Sequence, residues 1–373
     1  MSTAIPRHQE FPPFSSFFQD APNIDHECTS WMVFSDLTGY NANILHKNRD
    51  SEKPDILVLK NPAGAPRKWI GLGSTPFPCM GMNASGLAGA MNSGEICVDA
   101  SNDETKKLTP MILAAILENC DTAAQAVEEL QRFLKAGDYW HEQRGSIFFF
   151  MDKNEGFICE STAKFCSVQR YDCGYALRAN IWHNPGMDRL SRNTPEAFLD
   201  SCGREYVVRE KFNAAIDRDG RITLMDIRDL ARCKEFPKDT TVLRTVCSNK
   251  TNSCSTLVLH REYPDVLSTG WFCIGRPRQT LFLPFPICLE SIPESMTRPD
   301  WSTAAHKRFN ELGLEAPIPQ EWLDFEQRSL EDYTHTAKQA LALLQNGQKA
   351  QASDLLNNSA SQIWQEASRL LGI

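Results

Sequence analysis

Cys28 and Asp50 are the residues of this sequence whose type and placement most favour chemistry. Cys28 opens the apolar segment CTSWMVFS, and Asp50 ends a second segment, NILHKNRD, after a connector that contains Gly39. Amide or acyl transfer requires a nucleophile, a base, donors for an oxyanion, and a group that orients the nucleophile and base. A thiol at the first residue of a strand is suited to be the nucleophile, which leaves the base to be found.

A histidine is one possible base. The sequence has eight histidines, of which His46 and His183 lie near polar clusters. A protease of the Cys–His–Asn type is therefore one hypothesis. Neither histidine comes with the local signature of such a protease around Cys28, and spacing in the sequence does not pair them.

The α-amine of Cys28 itself is a second possible base. Residues 1–27 are rich in Pro, Phe and Ser without a regular period, and we expect them to be a pro-segment or N-terminal arm. If the Glu27–Cys28 bond is cleaved, Cys28 carries both a thiol and a free α-amine. An α-amine has a pKa of about 7.7–8.0 and a thiol one of about 8.5, so the amine accepts the thiol proton near neutral pH. A plain buried core thiol is the simpler alternative for Cys28.

Composition limits the partners and the compartment. The net charge is −8, so neither nucleic acid nor an anionic membrane is expected as a partner. No apolar run approaches the roughly 18 residues that a membrane helix needs. The thirteen cysteines include no C-x-x-C pair, which argues against a zinc ribbon. We expect a cytoplasmic protein in which most of these thiols are small core residues.

The strand signals predict antiparallel sheets enclosed by other layers. The segment after Cys28 is apolar on both faces, with Trp31 and Val33 on one face and Met32 and Phe34 on the other. Such a strand belongs between two layers. GMNASGLAGAMNSGE predicts a turn, a strand of small residues and a polar loop, and GSIFFFMDKNEGFICEST predicts a hairpin.

Helices follow the strands in blocks. Helical spacing with Thr caps covers 109–137, and 195–233 and the chain after about 295 are also predicted to be helical. The segment DRDG lacks the remaining ligands of a calcium loop, so we expect Thr223 to cap a helix there instead. Blocks of strands and helices, rather than strict alternation, favour an α+β protein with helices layered on antiparallel sheets.

The stretch CTSWMVFSDLTGYNANILHKNRDS resembles the start of the mature chain in one family of enzymes. These are the N-terminal-nucleophile (Ntn) hydrolases of the acyl-CoA:isopenicillin N acyltransferase and choloylglycine hydrolase group, which act on linear amide C–N bonds. Members open with Cys-Thr and end the second strand with N-x-D, here Asn48-Arg49-Asp50. The resemblance implies that Asp50 holds the new α-amine by a hydrogen bond.

Further matches follow in the order of the family and extend the resemblance over roughly residues 28–285. GMNASGLAGAMNSGE resembles the segment that contributes an oxyanion donor, here Asn92, and ALRANIW resembles the strand that contributes a second, here Asn180. GFICEST resembles the hairpin strand that ends in Glu, here Glu160. The resemblance implies a four-layer αββα sandwich with two antiparallel sheets, and a reaction that needs no metal or redox cofactor.

One departure from the family concerns the cation near the nucleophile. Bile-acid-type members carry an Arg where this chain has Lys47, and Arg49 lies inside the triplet. Strand alternation places Lys47 and Arg49 on one face and Asn48 and Asp50 on the other. Either cation is a candidate to stabilise the thiolate or bind substrate, and a bend at the strand end is needed to bring both faces to the site.

The predicted organisation is a pro-segment or arm at 1–27, an Ntn-hydrolase core at 28–295 and a helical extension at 296–373. The extension is expected to form a packing layer or a subunit contact between copies of the chain. The predicted function is a cysteine amidohydrolase or acyltransferase acting on a small-molecule amide through a thioester, matured by autoproteolysis at Glu27–Cys28. A related Ntn dipeptidase and an unprocessed binding or assembly protein are the alternatives.

Overall fold

The computed structural model describes residues 28–60, 67–74, 76–101, 103, 105–141, 143–236 and 244–373. The predicted pro-segment or arm at 1–27 lies outside the described residues. Two antiparallel sheets form the centre of the described part. The strands are β1 (Cys28–Val33), β2 (Ala42–Asp50), β3 (Ile56–Lys60), β4 (Trp69–Gly73), β5 (Met80–Asn83), β6 (Ala88–Ile96), β7 (Arg144–Met151), β8 (Gly156–Ser161), β9 (Cys166–Tyr171), β10 (Tyr175–Arg178), β11 (Thr251–His260), β12 (Thr269–Cys273) and β13 (Phe282–Pro286).

The first two and the last four strands form one sheet, and the seven strands between them form the other. The first sheet has the order β10-β1-β2-β11-β12-β13, and the second has β3-β4-β5-β6-β7-β8-β9. The second sheet is a meander in which each strand pairs with the next one along the chain. In the first sheet β1, the strand that bears Cys28, pairs with β10 on one side and with β2 on the other, so it is interior to the sheet. Strand β11 pairs with the other side of β2.

The helices are α1 (Ser35–Thr38), α2 (Thr109–Asn119), α3 (Ala123–Lys135), α4 (Pro195–Asp219), α5 (Leu224–Ala231), α6 (Pro264–Leu267), α7 (Glu294–Thr297), α8 (Asp300–Leu312), α9 (Gln320–Gln345) and α10 (Lys349–Leu371). Helices α2 and α3 pack on the outer face of the second sheet, and α4 and α5 pack on the outer face of the first. In the described part of the chain, none of these helices is both long and apolar enough to cross a membrane.

The two faces of β1 bury against different layers, as the sequence predicts. Met32 lies in the cluster between the sheets, whereas Trp31 and Val33 lie with the residues of α4 and α5. Phe34, directly after the strand, joins Met32 in the inter-sheet cluster. The predicted α+β class and the four-layer αββα arrangement are thereby confirmed.

One predicted loop is a strand instead. The segment NSGE, expected to be a polar loop, is the second half of β6 and pairs with β7. Its polar side chains are tolerated in a sheet interior because their hydrogen bonds are made inside the protein. Two glycines let Trp182 pack closely here, since a Cβ at Gly145 would lie 2.4 Å and one at Gly94 2.9 Å from the indole.

The predicted Thr caps are correct at two helices and displaced at a third. Thr122 accepts a hydrogen bond from the N–H of Gln125 at the start of α3, and Thr223 forms a capping box with Asp226 at the start of α5. Helix α2 begins one residue earlier than a cap at Thr109 requires, because Leu108 is its N-cap residue and Thr109 is its first residue.

The C-terminal helices pack on the edge of the first sheet. Tyr333 of α9 meets Trp271 of β12 edge to face, with ring centroids 5.6 Å apart. Trp364 of α10 stacks on Phe285 of β13 at 4.7 Å and donates its Nε1–H to the carbonyl oxygen of Pro284 at 2.9 Å. Because neighbouring positions of a strand face opposite sides, α9 and α10 cover both sides of this edge.

We expect Trp364→Ala to lower the free energy of unfolding by about 3–5 kcal/mol, because it removes a buried aromatic ring that stacks on Phe285. Urea unfolding followed by circular dichroism measures the change. The matched control is Leu312→Ala at a side chain that is 62% exposed, for which a change within about 0.5 kcal/mol is expected. If Trp364→Ala also changes the free energy of unfolding by less than about 0.5 kcal/mol, the extension contributes little to the folded core.

Candidate active site

Cys28 lies at the first position of β1 and is 6% exposed. It pairs with Arg49 of β2, and Ser30 pairs with Lys47. The four side chains share one face of the first sheet by strand alternation. That face looks toward the second sheet, because Ser30 Oγ and Lys47 Nζ both bond to Asn92 of β6.

Asn180 connects Cys28 to two other elements. Its Oδ1 accepts hydrogen bonds from the main-chain N of Cys28 at 2.8 Å and from Nη2 of Arg204 at 3.1 Å. Its Nδ2 donates to the carbonyl oxygen of Ser93 in β6 at 2.7 Å. The side chain therefore ties the start of β1 to α4 and to the second sheet.

The amide of Asn92 has a fixed orientation. Its Oδ1 accepts from Ser30 Oγ at 2.7 Å and from Lys47 Nζ at 2.8 Å, while its Nδ2 faces the carbonyl oxygens of Arg178 and Ala179 at 3.2 and 2.9 Å. The reversed amide would set N–H groups against donors and its oxygen against two carbonyls. Asn92 Nδ2 thus faces two main-chain carbonyls and Asn180 Nδ2 faces one. The oxyanion role of each amide stays a prediction.

Lys47 is a buried charged donor on the face of the first sheet that carries Cys28. Its side chain is buried, with the residue 1% exposed, and its ammonium bonds to Asn92 Oδ1. An ammonium carries three N–H donors. Buried cations of this kind are strong electrostatic contributors because little water screens them.

Arg49 lies beside the thiols of Cys28 and Cys79. Its guanidinium forms an ion pair with Asp55 at 2.5 Å and donates to Ser74 Oγ at 3.2 Å. Burial acts to lower the pKa of Arg49, but the charge of Asp55 and the neighbouring thiols of Cys79 and Cys28 outweigh it and raise the pKa. A permanent cation next to a thiol favours the thiolate.

Asp50 lies at the end of β2, where β11 carries a bulge between Thr251 and Ser253. Bulges redirect side chains at strand ends. The Asp50 carboxylate accepts a hydrogen bond from Ser248 Oγ at 3.2 Å. Burial raises the pKa of Asp50, although a hydrogen bond from Thr251 and the charges of Arg204 and Arg244 oppose it.

The Cys28 N–H bonds to Asn180 in this arrangement, and the implied bond between Asp50 and an α-amine stays a prediction. The charge of Arg204 acts on Asp50, and its guanidinium also bonds the Cys28 carbonyl. Asp50 therefore belongs to the electrostatic surroundings of Cys28, together with Arg49 of β2 and Arg204 of α4.

Three buried carboxylates hold the segment that carries Asn180. Glu205 accepts from the N–H of residue 179 at 2.8 Å, and Glu95 from that of residue 182 at 2.8 Å. Glu160, singled out in the sequence, accepts from the N–H groups of residues 183 and 184 at 2.9 and 2.7 Å and pairs with Arg178 at 2.7 Å. Fixed at three points, this segment sets the position of the Asn180 amide.

His46 is a neutral core side chain, not a base for Cys28. Its ring stacks on Trp31 at 4.1 Å and hydrogen-bonds to Thr256 and Asn48 on the outer face of the first sheet. Lys47 and Arg49 lie on the other face of the same strand. His183 hydrogen-bonds through Nε2 to the Glu205 carboxylate at 2.9 Å.

Sequence reasoning missed Ser30 and Arg204. Ser30 was detectable, because alternation places it on the face of Cys28 two residues away. Arg204 had no such signal, since Asp200 and Arg204 four apart in a helix are typical of a solvent-exposed ion pair. Among the residues that the structure describes, no group of three or more His, Cys, Asp or Glu side chains is arranged to hold a metal ion.

No family model and no curated protein sequence matches the chain. Solved structures are similar to it, and three of them are compared with it by identity, TM-score and coverage. A variant of the conjugated bile acid hydrolase from Clostridium perfringens shares 15% identity with a TM-score of 0.45, and the match covers 73% of this chain and 94% of that one. For penicillin V acylase from Agrobacterium tumefaciens the values are 12%, 0.41, 69% and 85%. For the Caenorhabditis elegans orthologue of N-acylethanolamine-hydrolyzing acid amidase they are 14%, 0.40, 63% and 98%.

By their names, the three neighbours are a hydrolase, an acylase and an amidase. At these TM-scores, the reaction of this chain has to be inferred from its own site.

We expect His46→Gln to flatten the dependence of stability on pH. Burial lowers the pKa of His46 to about 3, whereas the unfolded chain has an ordinary His pKa of about 6.5. Below about pH 6.5 the unfolded state binds a proton that the folded state does not, so stability is lost as pH falls toward the folded pKa. From about pH 7.5 to about pH 5, His46 contributes roughly 2 kcal/mol of this loss.

Urea titrations of both proteins at the two pH values measure the effect. All other titrating groups are common to both proteins, so the difference between their pH slopes isolates position 46. Parallel slopes would contradict a neutral, buried imidazole.

Proposed function

We propose that the protein is an Ntn-type cysteine amidohydrolase or acyltransferase that cleaves a linear, non-peptide amide through an acyl-thioester on Cys28. The observation that carries the proposal is the hydrogen bond from the main-chain N of Cys28 to Asn180 Oδ1, at 2.8 Å, in a buried strand start. This bond fixes the direction of the group that would become the α-amine. Arg49 beside the thiol and Lys47 on the same face supply the positive charge that a thiolate reaction needs.

Maturation by autoproteolysis at Glu27–Cys28 is part of the proposal. Cleavage converts the amide N–H of Cys28 into an amine with an available lone pair. Asn180 Oδ1 accepts from this nitrogen before cleavage and is suited to accept from it afterwards. Asp50 is the proposed second acceptor, and its charge would then hold and tune the ammonium form.

The proposed reaction has two halves. In the first, the α-amine takes the thiol proton and the thiolate attacks the substrate carbonyl carbon. The tetrahedral oxyanion collapses, and the leaving amine departs with a proton from the α-ammonium. In the second half, the α-amine takes a proton from water or an acceptor amine, which attacks the thioester and releases Cys28.

Lys47 is our added candidate for stabilising the oxyanion. Asn92 and Asn180 are the donors implied by the family resemblance, and each directs an N–H group at a main-chain carbonyl. The Asn92 oxygen instead holds the Lys47 ammonium on the face that carries Cys28. A charged donor prearranged at the site of developing charge lowers the barrier without reorganisation.

The free state of the cysteines supports the proposed cytoplasmic location. All thirteen lie in the part of the chain that the structure describes, and each is a free thiol. Proteins of reducing compartments keep their thiols in this state. A small-molecule amide remains the proposed partner, and association of copies through the C-terminal helices remains a proposal as well.

We expect Cys28→Ala to abolish amide cleavage and to leave the chain unprocessed, because both steps need the thiol. Amine release from N-acyl amino acids, bile-salt conjugates, penicillins and dipeptides measures activity, and intact mass measures processing. Cys173→Ala removes an exposed thiol and should change neither. Activity only on dipeptides would favour a dipeptidase. A fully active wild type that still begins at Met1 or Ser2 would refute the N-terminal mechanism.

We expect Lys47→Met to lower kcat by about 10²–10³-fold, the typical effect of losing an oxyanion donor, with a small change in KM. Lys47→Arg should retain more activity, because it keeps a cation. Lys349→Met, at a side chain that is 64% exposed, is the control for loss of a Lys charge. Near-normal kcat in Lys47→Met would remove Lys47 from the reaction.

A further inference from the structure

Asp55 lies between the end of β2 and the start of β3, and its side chain is completely buried. One carboxylate oxygen, Oδ1, accepts a hydrogen bond from Nη1 of Arg49 at 2.5 Å. The other oxygen, Oδ2, accepts a hydrogen bond from Ser253 Oγ. A buried carboxylate with both oxygens bound is held in one orientation, and it holds its donors in turn.

Arg49 joins this carboxylate to the candidate nucleophile. Arg49 of β2 and Ser253 of β11 are cross-strand partners at the bulge of β11. On the other side of β2, Arg49 is the cross-strand partner of Cys28. Opposite side chains of an antiparallel pair have Cβ atoms about 4.5–5.5 Å apart. The position of the Arg49 side chain next to Cys28 therefore depends on Asp55.

The main chain of Asp55 is held by α8, which belongs to the C-terminal extension. Ser302 Oγ donates to the carbonyl oxygen of Asp55 at 2.5 Å, and both residues are buried. Helix α8 also approaches the loop after β12 closely. Gly275 in that loop has a φ of 117°, and a Cβ there would lie 2.6 Å from the Cβ of Ala305 and 3.2 Å from the Cα of Ser302. Ser302 is therefore fixed by close packing as well as by its hydrogen bond.

Helix α8 reaches the other charged residue at the end of β2 through Arg276. The guanidinium of Arg276 donates from Nε to His306 Nδ1 of α8 at 3.4 Å and from Nη1 to the carbonyl oxygen of Asn249 at 2.7 Å. Asn249 follows Ser248, whose hydroxyl donates to the carboxylate of Asp50 at 3.2 Å. One helix of the extension thus contacts the supports of both charged residues at the end of β2.

We propose that α8 of the C-terminal extension holds the Arg49 guanidinium beside the Cys28 thiol. Ser302 and Asp55 are the positioning residues through which it acts. The inference rests on the proposed function and gives the extension a role in the site beyond packing on the sheet edge. A guanidinium favours the thiolate only while it stays close, because the attraction between the charges falls with distance. Asp55, bonded from β2, β11 and α8, keeps that distance constant.

The first test compares Ser302→Ala with wild type. Alkylation of Cys28 by iodoacetamide across a pH series, followed by peptide mapping, measures where the thiol ionises and needs no substrate. We expect the midpoint of the alkylation rate to move upward by about one pH unit, because a displaced cation no longer favours the thiolate. We expect kcat for amine release, corrected for the fraction processed, to fall about tenfold with the thiolate fraction. The charges of Lys47, Asp50 and Arg204 are common to both proteins.

Tyr333→Phe is the matched control. It removes a buried hydroxyl of the extension that bonds Thr269 Oγ1 of β12 at 3.2 Å. We expect this variant to leave the midpoint and kcat unchanged, and Ser302→Thr, which keeps the hydroxyl, to retain most of the wild-type behaviour. Equal shifts in Ser302→Ala and Tyr333→Phe would overturn the proposal, because a merely structural contribution of the extension predicts them.

A double-mutant cycle tests whether Ser302 acts through Arg49. Arg49→Met should raise the midpoint by itself, and Ser302→Ala should then change neither readout further in that background. Independent, additive effects of the two substitutions would contradict the positioning role. If Ser302→Ala does not fold, Ser253→Ala replaces it in the cycle, because it removes the bond to the other oxygen of the Asp55 carboxylate.

Failure of this inference is distinguishable from failure of the proposed function. An active wild type whose midpoint and kcat are unchanged in Ser302→Ala overturns this inference alone. A wild type without Cys28-dependent cleavage contradicts the proposed function and, with it, the catalytic role of the extension.

Discussion

The hydrogen bond between the main-chain N of Cys28 and Asn180 Oδ1 is the interaction on which the rest of the site depends. It joins the first residue of an interior strand to a segment outside any strand, and both partners are buried. Such a bond needs a rigid frame, because Asn180 lies after the end of β10 and no strand pairing holds it. Three carboxylates from β6, β8 and α4 supply that frame by binding main-chain N–H groups around Asn180.

The second constraint is charge between the layers. Lys47 and Arg49 face the inter-sheet space and Arg204 reaches Cys28 from α4, while Asp50 and Asp55 lie close to the same strand ends. Buried ions of this density are costly to desolvate and are seldom chosen for stability. Their concentration around one thiol is what a site that must form a thiolate and an oxyanion requires.

The sequence predicted the layers well, because hydrophobic pattern determines them. The two apolar faces of β1 and the stripes of α9 and α10 read directly as buried surfaces. It failed at NSGE, where polar residues typical of a loop form a strand whose hydrogen bonds are satisfied by distant parts of the chain. Arg204 escaped notice for the same reason, since its partner Cys28 lies 176 residues away and the helix shows only an ordinary charge pattern.

We propose that Cys28, as the first residue of the working chain, carries the acyl group during turnover. Acid quenching of the enzyme during turnover of a slow amide substrate, followed by peptide mapping by mass spectrometry, tests it directly. We expect a peptide that begins at Cys28 and carries the mass of the acyl group on its thiol. An acyl group on another residue, or an active enzyme whose peptide runs through an intact Glu27–Cys28 bond, would contradict it.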